Sequence, residues 1–554
     1  MEGGRGPKEA FFRRAPSDRV DEIGSAVSKP AEGSKSTTGE ESQERYDAEA
    51  SGGEEEEATA GSREKAVDPA DQSDEEEIGD PENGEGSDYA APLTLGQAIH
   101  AKIRRSQLQL TKLALEQDFE LDGATRRAFV SAQPPEEYPW QVAVEDLRKL
   151  AEGYGWPEFG HDAEMESLSW HARQADDLRK DAPHVAVSEQ IISKTVELLP
   201  KINLPEDFMQ RTHYERTLQR LNYKASPGYP LMFDYPDNRT LFKRDVKGNL
   251  DPSRVEMVWQ MVRKQLSERS ADPIRLFVKP EPHTRRKIDQ KRWRLISSVS
   301  LIDQIIDQML FGEMNDSWVS SWFTSPLKVG WVPYMGGWKL FPKGKNLAID
   351  KSSWDWTVQL WLIELELNIR AQLVRYGPHR DYWVELATWR YRKLYVENRF
   401  VTSGGIILKQ LKPGIQKSGC VNTLMTNSLM QYILHLRVCL ETGQHPGWFW
   451  CLGDDTLQEI PTHPKEYLDT LRGYCVVKQA SLASEFAGFK FVESRVEPLY
   501  RAKHAFNMLH MDVLNQDEFR RAYQLLYYKS SHKQRIQELM GEAPSSFRAL
   551  WDGW

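Results

Sequence analysis

The sequence predicts an α+β fold in which helices pack on one face of a small antiparallel sheet, preceded by a disordered acidic N-terminal tail. Three observations carry that expectation. Between Asn346 and Phe491, short apolar strands alternate with helical stretches whose apolar positions recur three and four residues apart. The stretch "WFWCLGDDTLQEI", Trp448 to Ile460, reads as a hairpin, with aromatic and β-branched residues bracketing a glycine-containing turn. Near residue 90 the composition changes abruptly.

The tail comes first. Residues 1–90 are rich in Gly, Ser, Glu and Asp and nearly free of aromatic residues, so they bury too little apolar surface to offset chain entropy. From Ser51 to Ala90 fifteen acidic residues face two basic ones. That local net of −13, set against −10 for the whole chain, leaves +3 for the remainder. The excess of acid is concentrated in the tail and the folded body is mildly basic.

Helical periodicity begins at "LTLGQAIHAKIRRSQLQLTKLALEQDF", and mixed helix and short strand follow without an internal repeat. Within the central region the order is strand ("NLAID"), helix ("VQLWLIELELNIRAQLVRYG"), loop and strand ("RFVTSGGIILKQ"), helix ("CVNTLMTNSLMQYILHLRVCLETG"), the hairpin above, then helix and hairpin. The last stretch, about Tyr500 to Trp554, is helical and rich in basic residues.

Length and composition exclude several classes. At 554 residues, with 40% hydrophobic residues and 18 Trp, the chain fills more than one core. Its four cysteines, Cys420, Cys439, Cys451 and Cys475, have neither CxxC spacing nor histidines at zinc-finger distances; a reducing setting fits, and Cys420 and Cys451 read as small packing residues. No apolar run approaches the roughly 20 residues of a membrane span, and "MEGGRGPKEAFFRRAPSDRV" lacks a signal-peptide core. His283, His504 and His510 lack ligand-like spacing and read as structural.

Three segments carry chemistry. In "NLAIDKSSWDW", Asp350 ends an apolar strand and Asp355 follows five residues later. In the hairpin, Asp454 and Asp455 stand side by side, an ordinary surface turn if taken alone. Were the two strands neighbours, the acids would converge and could stay ionised only beside cations, for which Mg²⁺ or Mn²⁺ is the natural all-oxygen choice. In "GIQKSGCVNTLMTNS" a glycine-containing loop enters a helix, with Ser418 in the loop and Thr423 and Asn427 one helical turn apart. Hydroxyl and amide groups beside an acid such as Asp355 are what recognition of a ribose 2′-hydroxyl requires.

The ordered set, Asp350 with Asp355, then Ser418-Gly419 with Thr423 and Asn427, then Gly453-Asp454-Asp455, resembles motifs A, B and C of the RNA-dependent RNA polymerases of positive-strand RNA viruses. Upstream, "FVKPEPHTRRKIDQKRWRLISSVSLIDQIIDQMLFG" is similar to the basic finger motif F of the sobemovirus, barnavirus and polerovirus group, and "SPGYP", Ser226 to Pro230, to the template-guiding motif G. Beyond the hairpin, "YCVVKQASLASEFAGFKF" resembles motifs D and E. The likeness runs from about Lys224 to Leu509, with nothing recognisable in the first 200 residues.

The resemblance implies a right-hand polymerase of fingers, palm and thumb. Residues 91–345 would form an N-terminal extension and fingers, 346–380 the palm with motif A, 381–414 a fingers insertion, 415–499 the palm with motifs B to E, and 500–554 a small helical thumb. It also implies roles. Asp350 and Asp454 would be the principal ligands of two Mg²⁺ or Mn²⁺ ions, with Asp455 in support. Asp355 and Asn427 would select ribose, helped by Ser418 and Thr423. Arg294 and Lys279 would face the nucleotide triphosphate, while Ser226, Pro227, Gly228, Arg286 and Arg292 would contact RNA. Lys478 would be the general acid that protonates the leaving pyrophosphate.

Template-directed RNA synthesis is thus the expected activity. A reverse transcriptase would place a bulky side chain where Asp355 sits. A non-catalytic RNA-binding replication scaffold would be expected to lack one of the three acids. The expected partners are template and nascent RNA, nucleoside triphosphates, other viral replication proteins and a VPg-like protein primer, which the small thumb favours and for which Tyr46 or Tyr89 would be attachment points. Membrane-associated replication complexes in the host cytoplasm, reached through partners, are the expected location.

Overall fold

The computed structural model describes residues 66–67, 95–125, 127–129 and 134–553. The tail expected over residues 1–90, with Tyr46 and Tyr89, lies outside the described residues except for Ala66–Val67, a two-residue strand antiparallel to Ala128–Phe129.

The sheet predicted from the central region has four antiparallel strands, in the order Phe449–Leu452, Asp455–Gln458, Leu347–Lys351, Val477–Leu482. Alternation along a strand puts successive side chains on opposite faces. Leu347, Ile349 and Lys351 accordingly point inward and Asp350 outward. The inward face is covered by the helix Thr423–Glu441, in which every residue from Met425 to Cys439 is buried. A helix buried all round lies at the centre of a layered domain; here the helices Val185–Leu198, Leu360–Leu373 and Pro464–Arg472 flank it. Its polar residues are accommodated individually. Arg437, for example, is held between the rings of Trp361 and Tyr474, at 4.4 and 4.2 Å, and bonds Glu441 and Asp181.

A second sheet has five strands, in the order Phe119–Ala124, Ile406–Gln410, Arg399–Val401, Ile274–Val278, Leu295–Ser298, and only its Ile274–Val278/Arg399–Val401 pair is parallel. The stretch expected as a single strand, "RFVTSGGIILKQ", is therefore two strands joined by a turn in which Gly405 takes φ +72°. The segment before it, expected as loop, contains the helix Arg380–Tyr395. Five of its eight buried positions, Trp383, Leu386, Ala387, Arg390 and Leu394, follow helical spacing, but the charges between them masked the period. Arg390 fastens this helix to the helix Leu301–Ser320, its guanidinium 2.7 Å from Asp303 and 2.7 Å from Asp307, all three side chains at most 2% exposed.

The C-terminal part is a three-stranded meander, Glu485–Phe486, Phe489–Val492 and Arg495–Pro498, followed by the helices Arg501–Leu509, Gln516–Leu526, Lys533–Met540 and Ser546–Asp552. Val144, Leu147 and Ala151 complete the core of these helices by packing with Phe506, Leu509, Tyr523 and Ile536. No helix among the described residues is long and apolar enough to cross a membrane.

Candidate active site

The two acid-bearing strands are neighbours. Thr456 pairs with Ile349 and Leu457 with Ala348, so the turn preceding Thr456 lies beside the end of the Leu347–Lys351 strand, where Asp350 sits. The turn is a two-residue connection, Gly453-Asp454, between the paired residues Leu452 and Asp455. Gly453 occupies its first central position at φ +60°, a conformation that costs a glycine little and any other residue more. Its N–H donates to Ser428 Oγ at 2.8 Å, which fixes the turn against the central helix.

Asp455 accepts a hydrogen bond from the Ala487 N–H at 2.7 Å, tying the turn to the C-terminal meander. Burial pushes its carboxyl up to about 7, and the charges of Asp454 and Asp350 add to the rise. Like charges raise one another's affinity for protons only when they share a neighbourhood. On the far side of Asp350 the strand Val477–Leu482 bulges at Lys478, whose Nζ lies 2.5 Å from Asp350 Oδ2. The proposed pyrophosphate acid thus pairs with the carboxylate at the end of the neighbouring strand.

Asp355 lies behind this row. Asn427 Nδ2 donates to its Oδ1 at 2.9 Å, and Asn427 Oδ1 accepts from Trp354 Nε1 at 3.0 Å, which fixes the amide's orientation. Burial raises the Asp355 carboxyl to about 6, with the charge of Asp454 adding to it. The sugar-selecting pair read from the sequence is therefore a direct contact beside the hairpin.

Ser418 and Thr423 are engaged elsewhere. Ser418 Oγ accepts from the Ser297 N–H at 3.0 Å, and Thr423 Oγ1 donates to the carbonyls of Lys417 and Cys420 at 2.7 and 2.8 Å. Both shape the loop that carries the helix. A side chain on Gly419 would strike the Ser297 carbonyl at 2.7 Å, so loop and strand approach as closely as backbones can. Beneath the loop Lys417 is fully buried, its Nζ donating to Ile415 O at 2.7 Å and Gln410 Oε1 at 3.0 Å, and burial pulls its ammonium down to about 7.

The basic segment is organised by an acid that the sequence reading passed over. Glu281 takes Arg294 at 2.8 Å, Lys503 at 3.0 Å and Lys279 at 3.4 Å. Although burial opposes ionisation, the three cations hold its carboxyl well below the usual range. One acid among three bases leaves a local excess of positive charge. Its only mark in the sequence is a lone Glu amid "KPEPHTRRK". Arg292 stacks on Trp170 at 4.9 Å, and Arg286 lies on the short helix Arg285–Asp289. In the Ser226–Gly228 turn, Ser226 Oγ accepts from the Gly228 N–H, the Pro227 carbonyl accepts from the Leu301 N–H, and Gly228 at φ +68° lies against the backbone of Val299 and Ser300.

The three histidines are hydrogen-bonded within the fold: His283 accepts from the Arg294 N–H, His504 pairs with Tyr527 and His510 with the Phe506 carbonyl. All four cysteines are free and buried.

Among the described residues, no three acidic, cysteine or histidine side chains form a ready-made metal cage. The donors in the row are nonetheless all carboxylate oxygens, the ligand chemistry of Mg²⁺ and Mn²⁺, and their charges act on one another; the residues fit such ions.

An antiparallel sheet that presents acids on a hairpin beside a second acidic strand, with an amide-held acid near them and a cationic cluster gathered where the ends of two strands of the second sheet meet a C-terminal helix, defines a polymerase of the right-hand class. The family model described as viral RNA-dependent RNA polymerase matches residues 159–476, and the chain belongs to that family. The match starts earlier than the motifs suggested. The chain is 30% identical over 370 residues to Protein P1-P2 of Pea enation mosaic virus-1 (strain WSG), covering 58% of this chain and 30% of that protein. It is 32% identical over 271 residues to Replicase polyprotein P2AB of Southern bean mosaic virus (isolate Bean/United States/Arkansas), covering 43% of this chain and 26% of that protein. The matched region thus spans less than a third of each of these relatives. The solved structure titled Sicinivirus 3Dpol RNA dependent RNA polymerase shares the fold, with a TM-score of 0.55 at 15% identity over 74% of this chain and 93% of that one.

Proposed function

We propose that the chain catalyses template-directed transfer of ribonucleoside monophosphates from nucleoside triphosphates to an RNA 3′-hydroxyl, in viral genome replication and transcription. The observation that carries this reading is the Asn427–Asp355 hydrogen bond beside the Gly453-Asp454-Asp455 turn, which combines a sugar-reading group with the acids of phosphoryl chemistry.

In this reading Asp350 and Asp454 would be the principal ligands of two divalent ions, with Asp455 a supporting one. When bound, such ions supply charge neutralisation for the triphosphate and activation of the hydroxyl nucleophile. The remaining work belongs to the chain. Arg294, Lys279 and Lys503 attract and orient the triphosphate as it competes with Glu281 for their charge. Asp355 accepts a hydrogen bond from the ribose 2′-hydroxyl, and Asn427 keeps that carboxylate in place. Ser418 and Thr423 act through the loop that carries Asn427. Lys478, which pairs with Asp350 in this structure, would be the proton donor to the leaving pyrophosphate. Ser226, Pro227, Gly228, Arg286 and Arg292 lie along the RNA path. A VPg-like protein primer, other viral replication proteins and membrane-associated complexes in the host cytoplasm complete the proposal.

The test is incorporation of labelled ribonucleotides and deoxyribonucleotides on a primed RNA template with Mg²⁺ or Mn²⁺, by wild type, Asp454→Ala and Asp355→Ala. Wild type should extend with ribonucleotides, Asp454→Ala should be silent and Asp355→Ala should lose sugar discrimination. A wild type that binds RNA yet incorporates nothing with either ion would refute the reading.

A further inference from the structure

Lys351 is the one residue of its strand whose chemistry conflicts with its place. Alternation sends Asp350 outward and Lys351 inward, where Leu347 and Ile349 supply the apolar contacts. Its ammonium is buried and, among the described residues, no carboxylate comes within salt-bridge range of it. Nζ lies 3.0 Å from Thr456 Oγ1 and 3.4 Å from the Asp454 carbonyl oxygen. Thr456 Oγ1 in turn donates to the Ile349 carbonyl at 3.2 Å. Behind this group Lys351, Gln431, Thr456, Gln458 and Tyr467 line a cavity of about 10 Å³, room for one water. The Nε2 atoms of Gln431 and Gln458 are buried there without a hydrogen-bond partner among the described residues.

A buried ammonium with no carboxylate in direct contact is expensive even though the charges of Asp454, Asp455 and Asp350 act on it from a distance, and an apolar side chain of similar length would suit this layer better. A local choice that works against stability points to function. The group that Lys351 serves is the main chain of the turn: it reaches across the strand pair, from behind, to the residue on which the outward acids depend. We propose that Lys351 is a positioning residue, which holds the Gly453-Asp454 turn in register from the packed side of the sheet, with one water in the cavity accepting from its remaining N–H and from one of the two glutamine amides. This rests on the polymerase reading for its catalytic consequence and on geometry alone for its mechanical one.

The experiment compares full-chain wild type, Lys351→Met and Thr456→Val by three measurements: hydrogen exchange of residues 449–458, thermal unfolding, and steady-state nucleotide incorporation. In Lys351→Met, exchange in the hairpin should accelerate by about tenfold or more while the midpoint of unfolding does not fall, because a buried charge has been replaced by an apolar group. The kcat should drop by about tenfold or more with the KM for nucleotide changed less than about twofold, as expected when the acids move and the triphosphate contacts remain. Thr456→Val should shift exchange and kcat in the same direction by less. Unchanged exchange and kcat in Lys351→Met would overturn the proposal, as would faster exchange throughout the sheet with a lowered midpoint, the mark of plain packing. If exchange changes as expected while wild type incorporates no nucleotide, the positioning role stands and the polymerase reading falls.

Discussion

Two groups of buried or half-buried acids in this molecule are built on opposite plans. Asp303 and Asp307 flank Arg390, and all four of their oxygens are engaged: Asp303 by the guanidinium, the Asp272 N–H and Ser300 Oγ, Asp307 by two further guanidinium contacts. Asp350, Asp454 and Asp455 instead act on one another through their charges, with Lys478 paired to Asp350 and the Ala487 N–H donating to Asp455. Burial pushes one acid of each group, Asp303 and Asp455, up to about 7, so burial alone does not distinguish them. What differs is the partner. A guanidinium fork satisfies its acids directly, whereas acids that raise one another's affinity for protons are the kind that a bound cation would offset. The first arrangement fixes the fold, and the second is held in place by the fold.

That contrast can be broken at either end. The largest effect is expected from Asp454→Ala, which should lower ribonucleotide incorporation by roughly 10⁴-fold, since metal-assisted charge stabilisation supplies several kcal/mol. Its unfolding midpoint should stay at or above that of wild type. Arg390→Met should do the reverse: leaving two buried acids unpaired costs about 3–5 kcal/mol, read by denaturant unfolding, while the residual folded fraction keeps its sugar discrimination. A smaller effect is expected at the cationic cluster, where Arg294→Ala should raise the KM for nucleotide by roughly 10- to 100-fold through loss of one charge-assisted contact, with kcat less affected.

The smallest effect concerns an acid with neither plan. Burial alone pushes Glu364 from 4.5 up to about 7. The folded protein then holds a proton that the unfolded chain releases, so stability is fully present below about 4.5 and is lost as pH rises toward 7. Unfolding midpoints across that window should fall for wild type relative to Glu364→Gln; parallel curves would show that the site is better solvated than its position indicates.

The outward face of the site was largely legible in the sequence, because its signals are local: a glycine in a tight turn, two acids five residues apart, and a threonine and an asparagine at helical spacing. Asp355 and Asn427 meet as expected although 72 residues separate them, since each lies on an element that the pattern identified. The supporting groups were not legible. Lys351 meets Thr456 across 105 residues and Glu281 meets Lys503 across 222, and a lysine or glutamate in a short segment looks solvated until its distant partner is known. The helix Arg380–Tyr395 was missed for a related reason, because its buried arginine breaks the apolar period and reads as surface without Asp303 and Asp307.

Whether Asp350 and Asp454 hold divalent cations is tested most directly by Mn²⁺ binding to the full chain, followed by electron paramagnetic resonance with and without nucleoside triphosphate. Mn²⁺ should bind saturably, more tightly with the triphosphate, and binding should be lost in both Asp350→Ala and Asp454→Ala with the fold intact. Binding that is absent from wild type, or that survives both substitutions unchanged, would contradict cation binding by these two acids.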